Sequence, residues 1–206
     1  MAKIKLTKGE LKRQRDSLKQ FKRYLPTLQL KKQQLQMRTM EVRKHLEHRL
    51  SALYEKDGAV KKWAGLLGDA GIDLKPWINP KDIKCSTTNV AGATVPVFED
   101  ISYETAEYDF YETPLWVDKA LEELRLTVKM IAEVEVVKKQ IAILEHELRT
   151  TTQRVNLFEK VKIPECQENI RKIRIYLGDQ QAHAVGVSKV AKKKVIDKEE
   201  LALADS

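Results

Sequence analysis

Glycine and proline are scarce in this chain of 206 residues, which has eight of the first and six of the second. Their positions matter more than their number. No glycine lies between Gly9 and Gly58, and none between Gly92 and Gly178. In a helix interior glycine costs about 1 kcal/mol and proline about 3 kcal/mol, so the two gaps predict two long helices. Aromatic residues are also few, and nine of the thirteen, with all three tryptophans, fall between Tyr54 and Trp116. A rod needs few large side chains, whereas a small middle region needs them to fill a core. No apolar run approaches the roughly 18 residues that span a bilayer, and Met1–Glu10 holds no apolar stretch of signal type. The two cysteines, Cys85 and Cys166, lack metal-ligand or redox spacing and are expected to be free thiols in a reducing compartment. The expectation is a cytoplasmic, extended, all-α dominated protein: helix over 1–56, a small head over 57–113, helix over 114–177, and a basic, flexible tail over 178–206.

Active-site patterns are missing too. The chain has no G-x-x-x-x-G-K-[ST] loop, no G-x-G-x-x-G, no H-E-x-x-H and no nucleophile elbow. His45 and His48 share a helix face and His146 could approach them, but three histidines in strongly charged stretches read as solvated side chains before a zinc site. No cofactor, metal or catalytic residue is expected.

What the chain does have is heptad spacing and charge. In the first helix the a/d series runs Leu11, Gln14, Leu18, Phe21, Leu25, Leu28, Lys32, Leu35, Thr39, Val42, Leu46, Arg49 and Leu53. This is the narrow seam of a coiled coil, roughly 75 Å long, with Pro26 expected to kink or break it. The second seam runs Leu124, Val128, Ile131, then slips by three to Val134, Val137, Ile141, Leu144, Leu148, Thr151, Val155 and Phe158. The slip reads as a stammer, and Pro164 is expected to bend the last third. Folding the chain back on itself buries both seams as an antiparallel hairpin; a parallel dimer is the rival. In the head, Ile83–Val90 and Thr94–Ile101 flank Ala91-Gly92-Ala93 and predict a β-hairpin, with Pro96 marking an edge strand. Trp63 to Gly68 reads as a helical turn and loop.

Charged residues make up 33% of the chain, with a net charge of +8. Residues 1–50 carry fifteen Lys/Arg and four Asp/Glu, whereas residues 82–118 carry eight acids and one lysine. Positive charge returns at Lys189, Lys192, Lys193, Lys194 and Lys198. The pattern makes the molecule electrically polar along its length. Two functional classes accommodate it: a coiled-coil scaffold or adaptor, and a nucleic-acid-binding hairpin using Lys12, Arg13, Arg15, Lys19, Lys22 and Arg23. The last is the weaker, because the basic residues are not interleaved with free aromatics.

The stretch Thr151-Thr152-Gln153-Arg154-Val155-Asn156-Leu157-Phe158-Glu159-Lys160-Val161-Lys162-Ile163-Pro164 resembles the T-x-R-V-N…I-P motif of the D subunit, the central rotor shaft of V-type and A-type ATPases. The matching motif residues are Thr152, Arg154, Val155, Asn156, Glu159, Ile163 and Pro164. The opening Leu6-Thr7-Lys8 with Leu28 to Leu35 is similar to the family's first helix. Asn89, Gly92 and Pro96 are similar to its hairpin pattern N-x-x-G-x-x-x-P. Leu157 and Phe158 depart from the family's smaller pair, and Pro26 is unusual. The resemblance implies a non-catalytic shaft in a rotary ATPase or ATP synthase, peripheral to a membrane-bound complex. Its implied partners are the A and B subunits of the catalytic ring, the small F subunit and a membrane-side adaptor.

Overall fold

The computed structural model describes residues 4–65, 74–105 and 114–204, the side chains beyond 197 excepted. Helix α1 spans Lys8–Lys61 and a short helix α2 spans Lys75–Ile78. Strands β1, Pro80–Val90, and β2, Ala93–Tyr103, form a two-stranded antiparallel sheet. Helix α3 then spans Trp116–Leu157, a π-helical turn covers Phe158–Lys162, and helix α4 spans Ile163–Ala204. The chain divides into two compact units, Leu30–Thr152 and the pair of segments Met1–Gln29 and Gln153–Ser206.

The start of α1 is set by Thr7, whose Oγ1 accepts the N–H of Glu10 at 3.3 Å, one half of a T-x-x-E capping box. The helix passes through Pro26 without a break and ends at Lys61 rather than Lys56. Pro26 is exposed, so the ring meets solvent and the carbonyl that it leaves unpaired in the preceding turn can be hydrated.

Within Leu30–Thr152, α1 and α3 run antiparallel. The ion pairs Lys31–Glu147, Arg43–Glu145, Arg49–Glu133 and Lys56–Glu123 step down α3 as they step up α1. The two helices of one chain thus cover each other, the packing for which a parallel dimer was the rival. The β-hairpin does not form a separate cap. Its residues Ala93 and Val95 share a buried cluster with Leu35 of α1 and Leu144 of α3, packed around by Val42, Val90 and Leu148.

Strand β2 lies along α3 through a ladder of side-chain contacts. Tyr103 Oη donates to the carbonyl of Arg125 at 2.7 Å, Lys129 meets Asp100 at 2.8 Å, and Gln140 Nε2 donates to the carbonyl of Pro96. From Arg125 to Leu144 a helix rises roughly 29 Å, and from Ala93 to Tyr103 a strand advances roughly 34 Å. The lengths match, so the strand can follow the helix over its whole course.

The sheet turns at Ala91 and Gly92, both with positive φ, 51° and 84°. Two consecutive left-handed residues make the tight turn whose twist suits a hairpin. Asn89 Oδ1 accepts the N–H of Gly92 at 2.8 Å and fixes it. The strands are longer than the sequence suggests, and the register shifts between Pro80 and Asp82 and between Lys84 and Cys85. With only two strands both are edges, which is where Pro96 can lose its N–H without breaking a ladder on two sides.

At the start of α3, Leu74, Val117 and Leu121 form a second cluster with Trp77, Ile78, Trp116 and Leu124. Trp63 ends α1 in a turn, its N–H bonded to the carbonyl of Val60. Leu66, Leu67 and Gly68 of that predicted loop lie outside the described residues, as do the acids Glu107, Asp109 and Glu112.

Candidate functional site

None of the thirteen heptad positions from Leu11 to Leu53 is exposed: Leu35 and Thr39 are buried, and Leu11, Leu18, Phe21, Leu25, Leu28, Val42, Leu46 and Leu53 are half-buried. The polar members have local solutions. Thr39 Oγ1 donates to the carbonyl of Leu35 at 2.7 Å. Arg49 crosses to Glu133 at 3.0 Å, a charge contact whose N–H is not aimed along a hydrogen bond. On α3, Leu144, Thr151 and Val155 are buried, while Leu124, Val128, Ile141 and Leu148 are half-buried, as is Phe158 in the π-helical turn that follows.

Ile131 corrects the expected seam, because it is 46% exposed. Counting back from Val134 in unbroken heptads gives Met130, Thr127, Glu123, Ala120 and Trp116, none of them exposed. The stammer is therefore not needed. Leu124 and Val128 suggested it because this part of the helix covers two neighbours. Leu124 packs towards α2 and Trp77, while Glu123 reaches Lys56 of α1. Two covered faces give apolar residues at two phases, and a one-seam count reads that as a slip.

The motif stretch has a distinct backbone. Ile163 donates its N–H to the carbonyl of Phe158, five residues back, in a π-helical turn that ends just before Pro164. Proline has no N–H to give, so a regular ladder cannot continue there, and the wider turn absorbs the mismatch. The helix then runs on through Gly178 and Gly186 to Ala204, well past the Leu177 expected from the sequence.

Phe158 packs on Phe21 with ring centroids 5.1 Å apart. Val155 is buried and Thr152 and Ile163 are half-buried, but Arg154, Asn156, Glu159 and Pro164 face solvent. Within the same unit Ile173, Ile170, Asn169 and Cys166 are buried. Burial, and secondarily the neighbouring Glu165, pushes the Cys166 thiol up, whereas Cys85 on β1 is exposed.

Charges fall differently in the two units. Lys12, Arg13, Arg15, Lys19, Lys22 and Arg23 are all exposed, and none forms an ion pair among the described residues. Lys189, Lys192, Lys193 and Lys194 are likewise exposed. Phe21 is engaged with Phe158, whereas Tyr24, next to Arg23, is 58% exposed. The acidic stretch is partly answered in place, by Lys129 against Asp100 and Lys81 against Glu104. The hydrogen bond from Lys129 holds the Asp100 carboxyl below its usual range.

Arg125 gave no signal in the sequence, yet it ties three elements together. Its Nε donates to the carbonyl of Trp77 at 3.0 Å and its Nη2 to that of Glu104 at 2.8 Å, and its guanidinium lies 5.1 Å from the Tyr103 ring centre. Burial raises the Tyr103 hydroxyl above its ordinary value, with the charge of Arg125 opposing. Among the described residues no group of three His, Cys, Asp or Glu is placed to hold a metal, and His45, His48 and His146 are all exposed. No helix of the described residues is long and apolar enough to cross a membrane.

Covered seams, cross-helix ion pairs and a hairpin fastened along the helices define an antiparallel coiled-coil protein with a β-hairpin packed on the coil. The model of the family described as the D subunit of ATP synthase matches residues 10–193. The V-type ATP synthase D subunit of Borreliella burgdorferi is 45% identical over 198 residues, covering 96% of this chain and 98% of that protein. Those of Chlamydia abortus and Chlamydia pneumoniae are 35% and 33% identical, covering 96% and 93% of this chain and the same shares of their own lengths. The chain belongs to the ATP synthase D-subunit family.

Proposed function

We propose that the chain is the central-stalk shaft of a rotary V/A-type ATPase or ATP synthase. It is not itself catalytic. It transmits torque between an ATP-hydrolysing ring of A and B subunits and an ion-translocating rotor in the membrane, and so couples ATP hydrolysis or synthesis to proton or sodium transport. The small F subunit and a membrane-side adaptor are its further partners, and its place is the cytoplasmic periphery of the membrane-bound complex.

The observation that carries this reading is the cross-braced coil in Leu30–Thr152. Twisting one helix there must shear Leu35 and Leu144 past each other and past Ala93 and Val95, which share one buried cluster, and close-packed interiors resist such shear. Four ion pairs across the two helices resist the same displacement. Rotation then acts as allostery: each angle of an asymmetric shaft favours a different conformation in each surrounding catalytic site. The exposed cations of α1 and α4 would bear on the interior of the ring, and Arg154 and Asn156, which face solvent, would contact its subunits.

The test is a native pull-down of the tagged chain with ATPase activity read on the eluate, followed by ion transport per ATP in reconstituted complex. Recovery of a large ATP-hydrolysing ring holding a single copy of this chain supports the shaft. Replacing Leu144 and Leu148 with aspartate should leave ATP hydrolysis running while ion transport per ATP falls. Normal coupling in that variant, or recovery of the chain alone, refutes the reading.

A further inference from the structure

In a shaft that takes up torque through the cations near the start of α1, the load has to leave at the other end of that helix. That end holds α2, the base of the β-hairpin and the first turns of α3. What fastens these elements to one another decides whether they turn together. Two buried clusters do part of this. Leu35, Leu144, Ala93 and Val95 join α1, α3 and the tip of the hairpin. Leu74, Val117 and Leu121, with Trp77 and Ile78, join α2 to α3 and include no residue of α1. A groove of about 420 Å3 parts the end of α1 from the start of α3, and the Lys56–Glu123 pair borders it. Among the described residues, α3 rather than α1 therefore carries the apolar packing of this end.

Neither cluster includes a residue of β2 beyond Val95. At the base of that strand stands the half-buried Arg125 of α3. Its Nε donates to the carbonyl of Trp77, at the end of α2, and its Nη2 to that of Glu104, just after β2. Tyr103 closes the clasp from the other side. Its Oη donates to the carbonyl of Arg125, and its ring lies against the guanidinium.

All three acceptors are backbone carbonyls, which have no rotamers through which a load could slip. The neighbouring tie, Lys129 to Asp100, joins two side chains that solvent reaches and gives way by rotation. A guanidinium presents its donors as a rigid planar fork, so one side chain can hold two chain segments at once. Hydrogen bonds from a charged donor are also the stronger kind.

We propose that Arg125 is the positioning residue through which torque carried by α3 reaches α2 and the base of the hairpin, fixing both so that they turn with the helix under load. The proposal rests on the shaft reading above and names the point in the chain where the coupling is made.

The test uses the whole complex, purified from its own cells and reconstituted in vesicles, with ion transport per ATP measured without and with a rising opposing ion gradient. Arg125→Met removes the donors and keeps most of the apolar stem. Each charge-assisted bond lost favours the released state by about tenfold or more. ATP hydrolysis should stay within about twofold of the parent, and transport per ATP should match the parent without a gradient and fall about threefold below it against one. Arg125→Lys keeps the charge but cannot span both carbonyls, so its loss should be intermediate. Unchanged hydrogen exchange at the Leu35 and Leu144 amides shows that the coil is intact.

A residue that only stabilised the fold would change the yield of complex and leave transport per ATP in the assembled fraction as in the parent. That result, a loss equal with and without the gradient, or full coupling in Arg125→Lys overturns the proposal. If Arg125→Met does not assemble, Tyr103→Phe decides, because it keeps the ring and loses one bond: a loss that appears only against the gradient supports the clasp, and parent behaviour refutes it. The variant with aspartate at Leu144 and Leu148 is run alongside. If it uncouples and Arg125→Met does not, this proposal alone falls; if neither uncouples, the shaft reading falls.

Discussion

Replacing Leu35 with alanine should be among the most costly single truncations in the chain. Leu35 is completely buried and meets Ala93 and Val95 of β2 and Leu144 of α3. Leucine-to-alanine changes in cores cost about 2–5 kcal/mol, and the upper half applies where the surroundings cannot close over the cavity. They cannot easily close here. Strand β2 is held off by Lys129 on Asp100 and Gln140 on Pro96, and α3 by ion pairs on either side of Leu144. The expectation is about 4 kcal/mol, a fall of about 8–16 °C in melting temperature for a chain of this size. Leu46→Ala, at a half-buried position of the same seam, should cost about half as much, because part of its surface is already wet. Urea titration of the full chain by circular dichroism measures both. A Leu35→Ala cost below about 1 kcal/mol, or one equal to that of Leu46→Ala, would refute the claim that strand and helices share one rigid core there.

Three further outcomes follow from local geometry. Ala91 holds a left-handed backbone at φ 51°, so Ala91→Asn should raise stability by about 0.5–1 kcal/mol in the same titration, and no gain would count against the turn geometry. The Asp100 carboxyl is held low mainly by the Lys129 hydrogen bond, so its contribution is complete above the ordinary aspartate range, near pH 4, and is lost as pH falls through the lowered value. Melting temperatures of Asp100→Asn and the parent should therefore differ at pH 6 and converge in strong acid; a constant difference contradicts the pairing. Cys85 is exposed while Cys166 is buried with its thiol pushed up, so a thiol reagent at pH 8 should label Cys85 at least about tenfold faster, which mapping of the labelled peptides decides.

Much of the architecture could be read from short-range chemistry. The gaps between glycines announce the two long helices, and the a/d rows show which sides of them must be covered. Thr7 followed by Glu10 marks the start of the first helix, and Ala91-Gly92 between β-branched runs marks the hairpin. Each of these signals lies within a few residues of its effect. Pro26 and Pro164 show the limit of such reading. The same residue type leaves one helix unbroken and forces a π turn in the other, and nothing within four residues of either proline tells them apart.

The chain's own pattern of breakers, heptads and charge determined that it would be two long helices around a β-hairpin, with a basic opening helix and no metal or nucleotide motif. Only the tertiary structure decided that the hairpin lies along α3, sharing a core with Leu35 and Leu144. It also turned Ile131 outward, made Arg125 a tie between α2 and β2, and left Met37 and Met40 on an uncovered face. Those outcomes depend on which surfaces meet across the fold. A helix covered by two neighbours shows apolar residues at two phases, and a single-seam count cannot assign them until the second neighbour is in place.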